Sequence, residues 1–537
     1  MTMVTSEETF DAYRRPQKTQ AAADAIPLLV NGTYHLFHLT TPPGTVHHPP
    51  RLRSCWSRLR SDDLIHWVRD PEPIVAPGEN PSDPDTSGAW TGSAVLGPDG
   101  RMNIFYTGYC LPQNGKQVVL RITADDEHGS HFDLESRRQI VIKENMHHSQ
   151  YEDIDFRDPF IFANEGIYWM LVATRFREGP YWTRGCIALL TSSDLLEWSV
   201  EPQPLYAPGD MFCPECPELF QLGSKWYLVY SRFAAPNTGT VYRVADSPRG
   251  PFRTPRDGSH GRLDGRRWYA AKSCPKAGDP DKRIFFGWIA DKCEDDGRWL
   301  WGGDLGIPRE IFADDQGHLR VQPVAEVLKA MERNSSLSPG SVIRLSSIGS
   351  TSTSFPPQMD VANTSEYIHM NLTIMKVEAA SFGLVFGADS DLRGYRLQLI
   401  PTGKLYTVLL LTDMIPLDDF WADQYKLYIP RGVDGPELLR HDGVELDGQV
   451  SVLLHGPLLE VFVGGRSISY RLPLAHVDKE QSAGPLPDRN HRVGLFVEDG
   501  DVEMSLRIEP LKVRSKEEIM KTLIPSKSDS RIHVITS

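Results

Sequence analysis

Three acidic residues in the first half of the chain stand where strand-like runs begin or end. They are Asp24 in Ala22-Ala23-Asp24-Ala25-Ile26-Pro27, Asp158 in Arg157-Asp158-Pro159-Phe160-Ile161-Phe162, and Glu215 in Cys213-Pro214-Glu215-Cys216-Pro217. Carboxyls gathered in one pocket can divide a difficult displacement: one attacks as nucleophile, and a second, kept protonated, hands its proton to the leaving oxygen. Glu215 suits the second task because prolines and apolar neighbours flank it, and burial raises a carboxyl pKa. Arg157 could serve beside Asp158 in such a pocket or form a purely structural ion pair. With 71 acidic residues in the chain, none of the three carries the reading alone; the set does.

Acids 134 and 57 positions apart must be brought together by an architecture that repeats. Short aromatic strands recur, each but the last preceded by a turn, and their central residues are Leu36, Ile104, Met170, Leu228 and Phe286, spaced by 68, 66, 58 and 58 residues. That period fits a four-stranded propeller blade, and five copies predict a five-bladed β-propeller whose innermost strands converge on the axis. A second repeat, Ser61-Asp62-Asp63-Leu64-Ile65-His66-Trp67 and Ser192-Ser193-Asp194-Leu195-Leu196-Glu197-Trp198, runs in phase with the first. It reads as a turn whose Asp accepts backbone N–H groups, followed by an outer strand with a buried aromatic.

Beyond the repeats, Pro323 to Arg333 has helical spacing, with Val324, Val327, Leu328 and Met331 on one face. A Ser-, Thr- and Gly-rich stretch follows, then alternating apolar strands that predict a β-sandwich. The expected division is a propeller over 1–333, a linker over 334–360, and a sandwich over 361–537 with a polar tail. The fold class is all-β.

The chain has 537 residues, 57 Lys+Arg and a formal net charge of −14, with 40% hydrophobic and 24% charged residues. The acidic balance disfavours a nucleic-acid partner, and no apolar run approaches the ~20 residues of a membrane-spanning helix. Met1 to Phe10 lacks the basic and apolar regions of a secretory signal, so a cytoplasmic location is expected. The Asn-x-Ser/Thr matches at Asn334, Asn363 and Asn371 are then coincidental. Seven cysteines, including the Cys213-Pro214-Glu215-Cys216 pair, lack the spacing of a zinc site and read as reduced structural thiols. No metal or other cofactor is expected. The partner is a small molecule, and a homo-oligomer stays open.

Arg157-Asp158-Pro159 and Glu215-Cys216-Pro217, in this order with the five aromatic strands, resemble glycoside hydrolase family 32, the invertase, inulinase and levanase family. Similar stretches are Trp90-Thr91-Gly92-Ser93, Phe105-Tyr106-Thr107-Gly108, Leu263-Asp264 through Trp268-Tyr269-Ala270-Ala271, Phe286-Gly287-Trp288, the run from Trp301 to Glu310, and Leu459 to Val463. The resemblance covers about residues 14–513 and implies the same propeller and sandwich. It implies Asp24 as nucleophile, Glu215 as acid/base and Asp158 as transition-state stabiliser, with Arg157 beside it. The implied chemistry is retaining, with the Asp24 and Glu215 carboxyls about 5–5.5 Å apart. The substrates would be sucrose and short fructo-oligosaccharides, with fructosyl transfer as an accompanying reaction. Trp56, Trp90, Ser93, Asp264, Tyr269 and Trp301 are candidate pocket walls, each with a core role as the alternative. The family's usual Trp-Met-Asn-Asp-Pro-Asn-Gly is here Ala21-Ala22-Ala23-Asp24-Ala25-Ile26-Pro27, and Leu39 stands where a glutamine is usual. Two other readings are an arabinan- or xylan-type five-bladed glycosidase and a fructoside-binding protein without catalysis.

Overall fold

The computed structural model describes residues 13–16, 20–42, 52–143, 148–233, 238–292, 299–331, 340–356, 367–388, 394–413, 436–472 and 493–511. Each of the five aromatic runs lies in the second strand of an antiparallel sheet, and the five sheets are the propeller blades. Blade I is Ala22–Val30, Thr33–Thr40, Cys55–Ser61 and Val68–Arg69. Blade II is Gly88–Leu96, Met102–Cys110, Lys116–Thr123 and Arg138–Gln139. Blade III is Tyr151–Asn164, Ile167–Phe176, Gly185–Ser192 and Glu197–Val200. Blade IV is Glu215–Leu222, Lys225–Arg232 and Gly239–Ala245, with Val244 bridged to Arg253. Blade V is Trp268–Lys276, Asp279–Lys292, Arg309–Ala313 and Leu319–Pro323.

The ring is closed by Trp299–Leu305. This strand pairs with the far half of Asp279–Lys292 and reaches the first strand of blade I through Ala22 and Gly303. Arg15 reinforces the closure, its guanidinium 2.9 Å from Asp291 and 2.5 Å from Asp304.

The second sequence repeat is a turn of the expected chemistry. Ser61 Oγ accepts the Leu64 N–H at 2.9 Å, and Asp63 Oδ1 accepts those of Ile65 and His66 at 2.9 and 2.8 Å. Ser192 and Asp194 do the same for Leu195, Leu196 and Glu197 at 3.0, 2.8 and 3.1 Å. Both turns carry a left-handed leucine, Leu64 at φ 65° and Leu195 at φ 66°. The tryptophans that follow, Trp67 and Trp198, are buried, a burial that favours folding by about 1.5–3 kcal/mol for a large apolar side chain.

A seven-residue helix, Ala325–Met331, follows blade V and buries Val327, Ala330 and Met331. The expected linker over 334–360 needs correction: Ser341–Ser354 is a strand paired with Gly494–Pro510. Only Leu345 and Ser347 of that strand are buried, so its exposed polar composition reads like a linker although its backbone is laddered. The long strand Tyr367–Phe386 serves both halves of the sandwich. Its start pairs with Gln449–His455, its end with Tyr395–Thr402, and much of its length with Gly494–Pro510. The expected tail beyond Lys516 lies outside the described residues.

The sandwich packs on blade V. Leu453, Leu458 and Phe462 join the propeller's apolar core, and Arg309, fully buried, bonds Asp264 at 2.6 Å and Glu460 at 2.5 Å. Its guanidinium also lies over the Trp268 ring, 4.1 Å from the centroid.

Candidate active site

The three acids stand where the innermost strands break their register. In every blade the pairing of first and second strands slips beside the site: Ala23/Ala25, Trp90/Gly92, Arg157/Phe160, Glu215/Glu218 and Tyr269/Lys272, with a further slip in blade III at Tyr151/Phe156 and in blade V at Pro275/Lys276. A bulge leaves residues unpaired, bends the strand and re-aims side chains. Four bulges hold a non-glycine residue at positive φ: Asp24 at 27°, Asp158 at 57°, Cys216 at 50° and Ala270 at 47°. Such conformations cost about 1–3 kcal/mol each and persist only where the surroundings impose them. In blade II a glycine supplies the close approach instead, since a Cβ on Gly92 would lie 1.8 Å from the Phe105 carbonyl oxygen.

The surroundings that impose the bulges are neighbouring blades. Thr107 Oγ1 donates to the Thr91 carbonyl at 3.0 Å and accepts the Asp158 N–H at 2.8 Å. The Asp158 carboxylate accepts the Cys216 N–H at 2.8 Å. Ser231 Oγ accepts the Ala270 N–H at 3.2 Å, and Lys272 Nζ donates back across the axis to the Gly92 carbonyl at 2.7 Å. The N–H groups left unpaired by the bulges of blades III, IV and V are thus satisfied by the preceding blade.

Together the bulges shape a pocket lined by Asp24, Leu39, Trp90, Thr91, Arg157, Asp158, Glu215, Cys216, Tyr269 and Trp301. Trp288 Nε1 donates to Asp24 Oδ1 at 3.0 Å, and the Cys216 thiol lies 3.8 Å from Oδ2. Glu215 accepts Arg157 Nη2 on Oε1 at 3.2 Å and the Tyr269 hydroxyl on Oε2 at 2.6 Å. Arg157 also bonds Asp155 at 2.6 Å and stands 3.8 Å from Asp158.

Burial raises the Asp158 carboxyl above its ordinary pKa; Arg157 opposes this, the Glu215 charge adds to it, and the Cys216 N–H opposes it. Burial works against the charge on Arg157, but Cys213, Glu215, Asp158 and Asp155 drive its pKa well above normal, so it stays a cation. Burial, then Asp24 and Asp158, push the Cys216 thiol up. The thiol stays protonated and can donate.

Seven of the ten residues singled out from the sequence line this cavity: the three acids, Arg157, Trp90, Tyr269 and Trp301. The other three do not, and are corrected here. Trp56 is wholly buried behind the wall, donating from Nε1 to the Trp90 carbonyl at 3.0 Å. Ser93 is buried and ties blade II to blade III by accepting the Ile161 N–H at 3.0 Å. Asp264 belongs to the sandwich interface, where it accepts Arg309, Ser467 Oγ at 2.7 Å and the Ser469 N–H at 2.9 Å. Sequence reasoning missed Thr91 and Trp288 as site residues, although both lie in quoted motifs. The Phe286-Gly287-Trp288 run signals that tryptophan, because Gly287 lets the Trp268 ring pack against the strand. The six described cysteines are all buried free thiols, and Cys293 lies outside the described residues. Among the described residues, no three His, Cys, Asp or Glu side chains are grouped to hold a metal.

A family model, Glycosyl hydrolases family 32 N-terminal domain, matches residues 23–323. Sucrose-6-phosphate hydrolase of Escherichia coli is 27% identical over 456 residues, covering 80% of this chain and 90% of its own length. The Arabidopsis thaliana beta-fructofuranosidase, insoluble isoenzyme CWINV1, is 31% identical over 335 residues, and the chain spans 54% of its length and matches over 56% of its own. The structure of fructan 1-exohydrolase IIa from Cichorium intybus superposes with a TM-score of 0.65 at 18% identity, covering 95% of this chain and 98% of that one. Sucrose-6-phosphate hydrolase from Lactobacillus gasseri gives 0.65 at 17% identity, covering 92% and 91%. Both have the fold described above. The match of the family model across the propeller, with its bulge-borne acids, makes this chain a member of glycoside hydrolase family 32.

Proposed function

We propose that the chain is a retaining β-fructofuranosidase that releases terminal β-D-fructofuranosyl units from sucrose and short fructo-oligosaccharides. The observation that carries this reading is the common cavity of Asp24, Asp158 and Glu215, each set by a bulge on a different blade. Asp24, with Trp288 and Cys216 fixing its two oxygens, attacks the anomeric carbon. Glu215 gives its proton to the departing glycosidic oxygen, leaving a fructosyl ester on Asp24. Glu215, now a carboxylate, takes a proton from water as that water opens the ester. Fructose leaves with its configuration kept and both carboxyls restored. Asp158 and Arg157 hold fructose hydroxyls and favour the oxocarbenium-like transition state, and Trp90 and Trp301 offer apolar faces to sugar C–H groups.

The test is a panel of sucrose, 1-kestose, inulin and levan with glucose and fructose quantified separately. Equal glucose and fructose from sucrose report hydrolysis, and fructose below glucose reports transfer to sugar acceptors. Asp24→Asn and Glu215→Gln are each expected to abolish fructose release while circular dichroism and Tm stay close to wild type. An unchanged rate in either variant removes that residue from the mechanism. Activity on an arabinofuranoside with none on sucrose would overturn the substrate assignment.

A further inference from the structure

Hydrogen bonds between the bulges form a belt around the propeller axis. Blade II meets blade III where Thr107 accepts the Asp158 N–H at 2.8 Å, and blade III meets blade IV where the Asp158 carboxylate accepts the Cys216 N–H at 2.8 Å. Blade IV meets blade V where Ser231 accepts the Ala270 N–H at 3.2 Å. Lys272 closes the belt. It stands where pairing in blade V resumes after the bulge, opposite Phe286, and its Nζ donates to the Gly92 carbonyl of blade II at 2.7 Å. The closure bypasses blade I, whose Asp24 is held instead by Trp288 of blade V and Cys216 of blade IV.

A tie between two blades does not require a charge. Lys272 is only 1% exposed. Among the described residues its ammonium has that one carbonyl as hydrogen-bond acceptor and no carboxylate within ion-pair distance. An ammonium taken out of water without a paired anion is costly, and a neutral donor makes the same bond without that cost. Positive charge is scarce at this site. Asp24, Asp158 and Glu215 share one pocket, and the Arg157 guanidinium is divided among Asp155 at 2.6 Å, Glu215 at 3.2 Å and Asp158 at 3.8 Å. Lys272 lies within electrostatic reach of Asp158 and Cys216, where it works against burial and against the charges of Glu215 and, at Cys216, of Asp24. It also reaches Glu218 of blade IV. That carboxylate is already engaged by Arg283 at 3.2 Å and by the Ser273 N–H and hydroxyl at 2.9 and 2.8 Å. Blade III further presents the Phe160 ring, 5.9 Å from Nζ, which carries no titratable group.

We infer that Lys272 is a positioning residue for the reaction, a buried cation that ties blade V to blade II and keeps Asp158 a carboxylate. In that form Asp158 accepts both the Cys216 N–H and the fructose hydroxyls. The inference rests on the function proposed above, through the role given there to Asp158.

The experiment separates the charge of Lys272 from its hydrogen bond. Lys272→Gln keeps a donor for Gly92 and removes the charge, Lys272→Met removes both, and Lys272→Arg keeps the charge. The pH profile of kcat/KM on sucrose is measured beside Tm for each. Its acid limb is expected to move up by about one pH unit, a tenfold change in proton affinity, in Lys272→Gln and Lys272→Met. It should stay in place in Lys272→Arg, and Tm should fall further in Lys272→Met than in Lys272→Gln. An acid limb unmoved in Lys272→Gln overturns the inference and leaves Lys272 a structural tie. A second measurement needs no turnover: carbon-13 NMR titration of protein labelled at its aspartate carboxyls, with the Asp158 signal identified by its loss in Asp158→Asn. Its midpoint should rise in Lys272→Gln, and equal midpoints overturn the inference. An Asp158 still protonated in wild type at the rate optimum overturns it without any variant. If wild type releases fructose from none of sucrose, 1-kestose, inulin and levan, the proposed function fails, and the Asp158 midpoints alone decide the role of the charge.

Discussion

The backbone N–H of Cys216 donates to the carboxylate of Asp158 at 2.8 Å, joining the bulge of blade IV to that of blade III. One carboxylate oxygen therefore fixes the loop that carries Glu215. Asp158→Ala is expected to lower kcat by about 10²–10³-fold, the usual effect of losing one transition-state contact. It should also loosen Glu215, whereas Asp158→Asn keeps an acceptor for Cys216 and should retain the wild-type Tm. Steady-state kinetics with thermal melts of both variants check this, and equal Tm losses in the two would show that the acceptor is immaterial.

Tyr269 holds Glu215 Oε2 through its hydroxyl at 2.6 Å while its ring meets that of Trp288, 5.8 Å between centroids. Tyr269→Phe removes the hydrogen bond and keeps the ring. The pH–rate profile should move on the limb that reports the acid/base, and kcat should fall by about 10-fold, a loss of roughly 1.4 kcal/mol. A profile that superposes on wild type would show that Tyr269 is only wall.

Gly92→Ala places a methyl 1.8 Å from the Phe105 carbonyl oxygen in the bulge of blade II. Destabilisation on the order of 3 kcal/mol is expected, read as a lower denaturation midpoint. Gly32→Ala, in an open hairpin turn, meets no atom and is strained only through its φ of 87°. It should cost clearly less; parity between the two would contradict the packing account.

Glu460 is completely buried against Arg309, with His455 and the Ile307 N–H on its other oxygen. Burial opposes its charge, but these partners hold its pKa at about 2. Its contribution to stability is present above the ordinary carboxylate pKa and is lost as pH falls toward 2. Glu460→Leu should cost about 3–5 kcal/mol through the uncompensated guanidinium, measurable by chemical denaturation. A change under ~1 kcal/mol would show that Asp264 alone satisfies Arg309.

Among the described residues, burial lowers the pKa of five histidines, His35, His38, His369, His441 and His455. Burial first, with Arg58, Arg69 and Arg507 adding to it, lowers His35 to about 4, His38 to about 3 and His369 to about 4. His441 is lowered to about 4 by burial and Arg466, against its bond with the Ser467 carbonyl. Because the folded pKa values lie below the unfolded value of 6.5, the stability they confer is full above that pH and is lost as pH falls toward 4. Each histidine steepens the fall by up to about 1.4 kcal/mol per pH unit. Thermal melts from pH 8 to pH 4.5 should show Tm dropping below about 6.5, and a flat profile between pH 7 and 5 would refute it.

The blades and the three clustered acids were legible because their signals are local. A turn followed by an aromatic strand recurs with a fixed period, and Asp63 and Asp194 sit in turns whose bonds span only two or three residues. Asp158 and Glu215 stand beside prolines that belong to the bulges themselves. What was not legible depends on distant partners. Asp264 looks the same in sequence whether it faces sugar or, as here, Ser467 and Ser469 some two hundred residues on. Trp56 and Ser93 were assigned to the wall through the resemblance, which gives motif positions and not which way a side chain faces; Trp56 lies on the third strand of blade I, and Ser93 just beyond the bulge of blade II. Ser341–Ser354 hid its ladder because an edge strand with one wet face needs few apolar residues.

Closure of the ring through Ala22 and Gly303 fixes an order of events during synthesis. The strand bearing Asp24 is made first, yet its ladder partner on Trp299–Leu305 and its hydrogen-bond donor Trp288 are made after three other blades and part of a fourth. A polypeptide still emerging from the ribosome therefore holds a complete first blade and no working pocket. The pocket is complete only once the last blade meets the first.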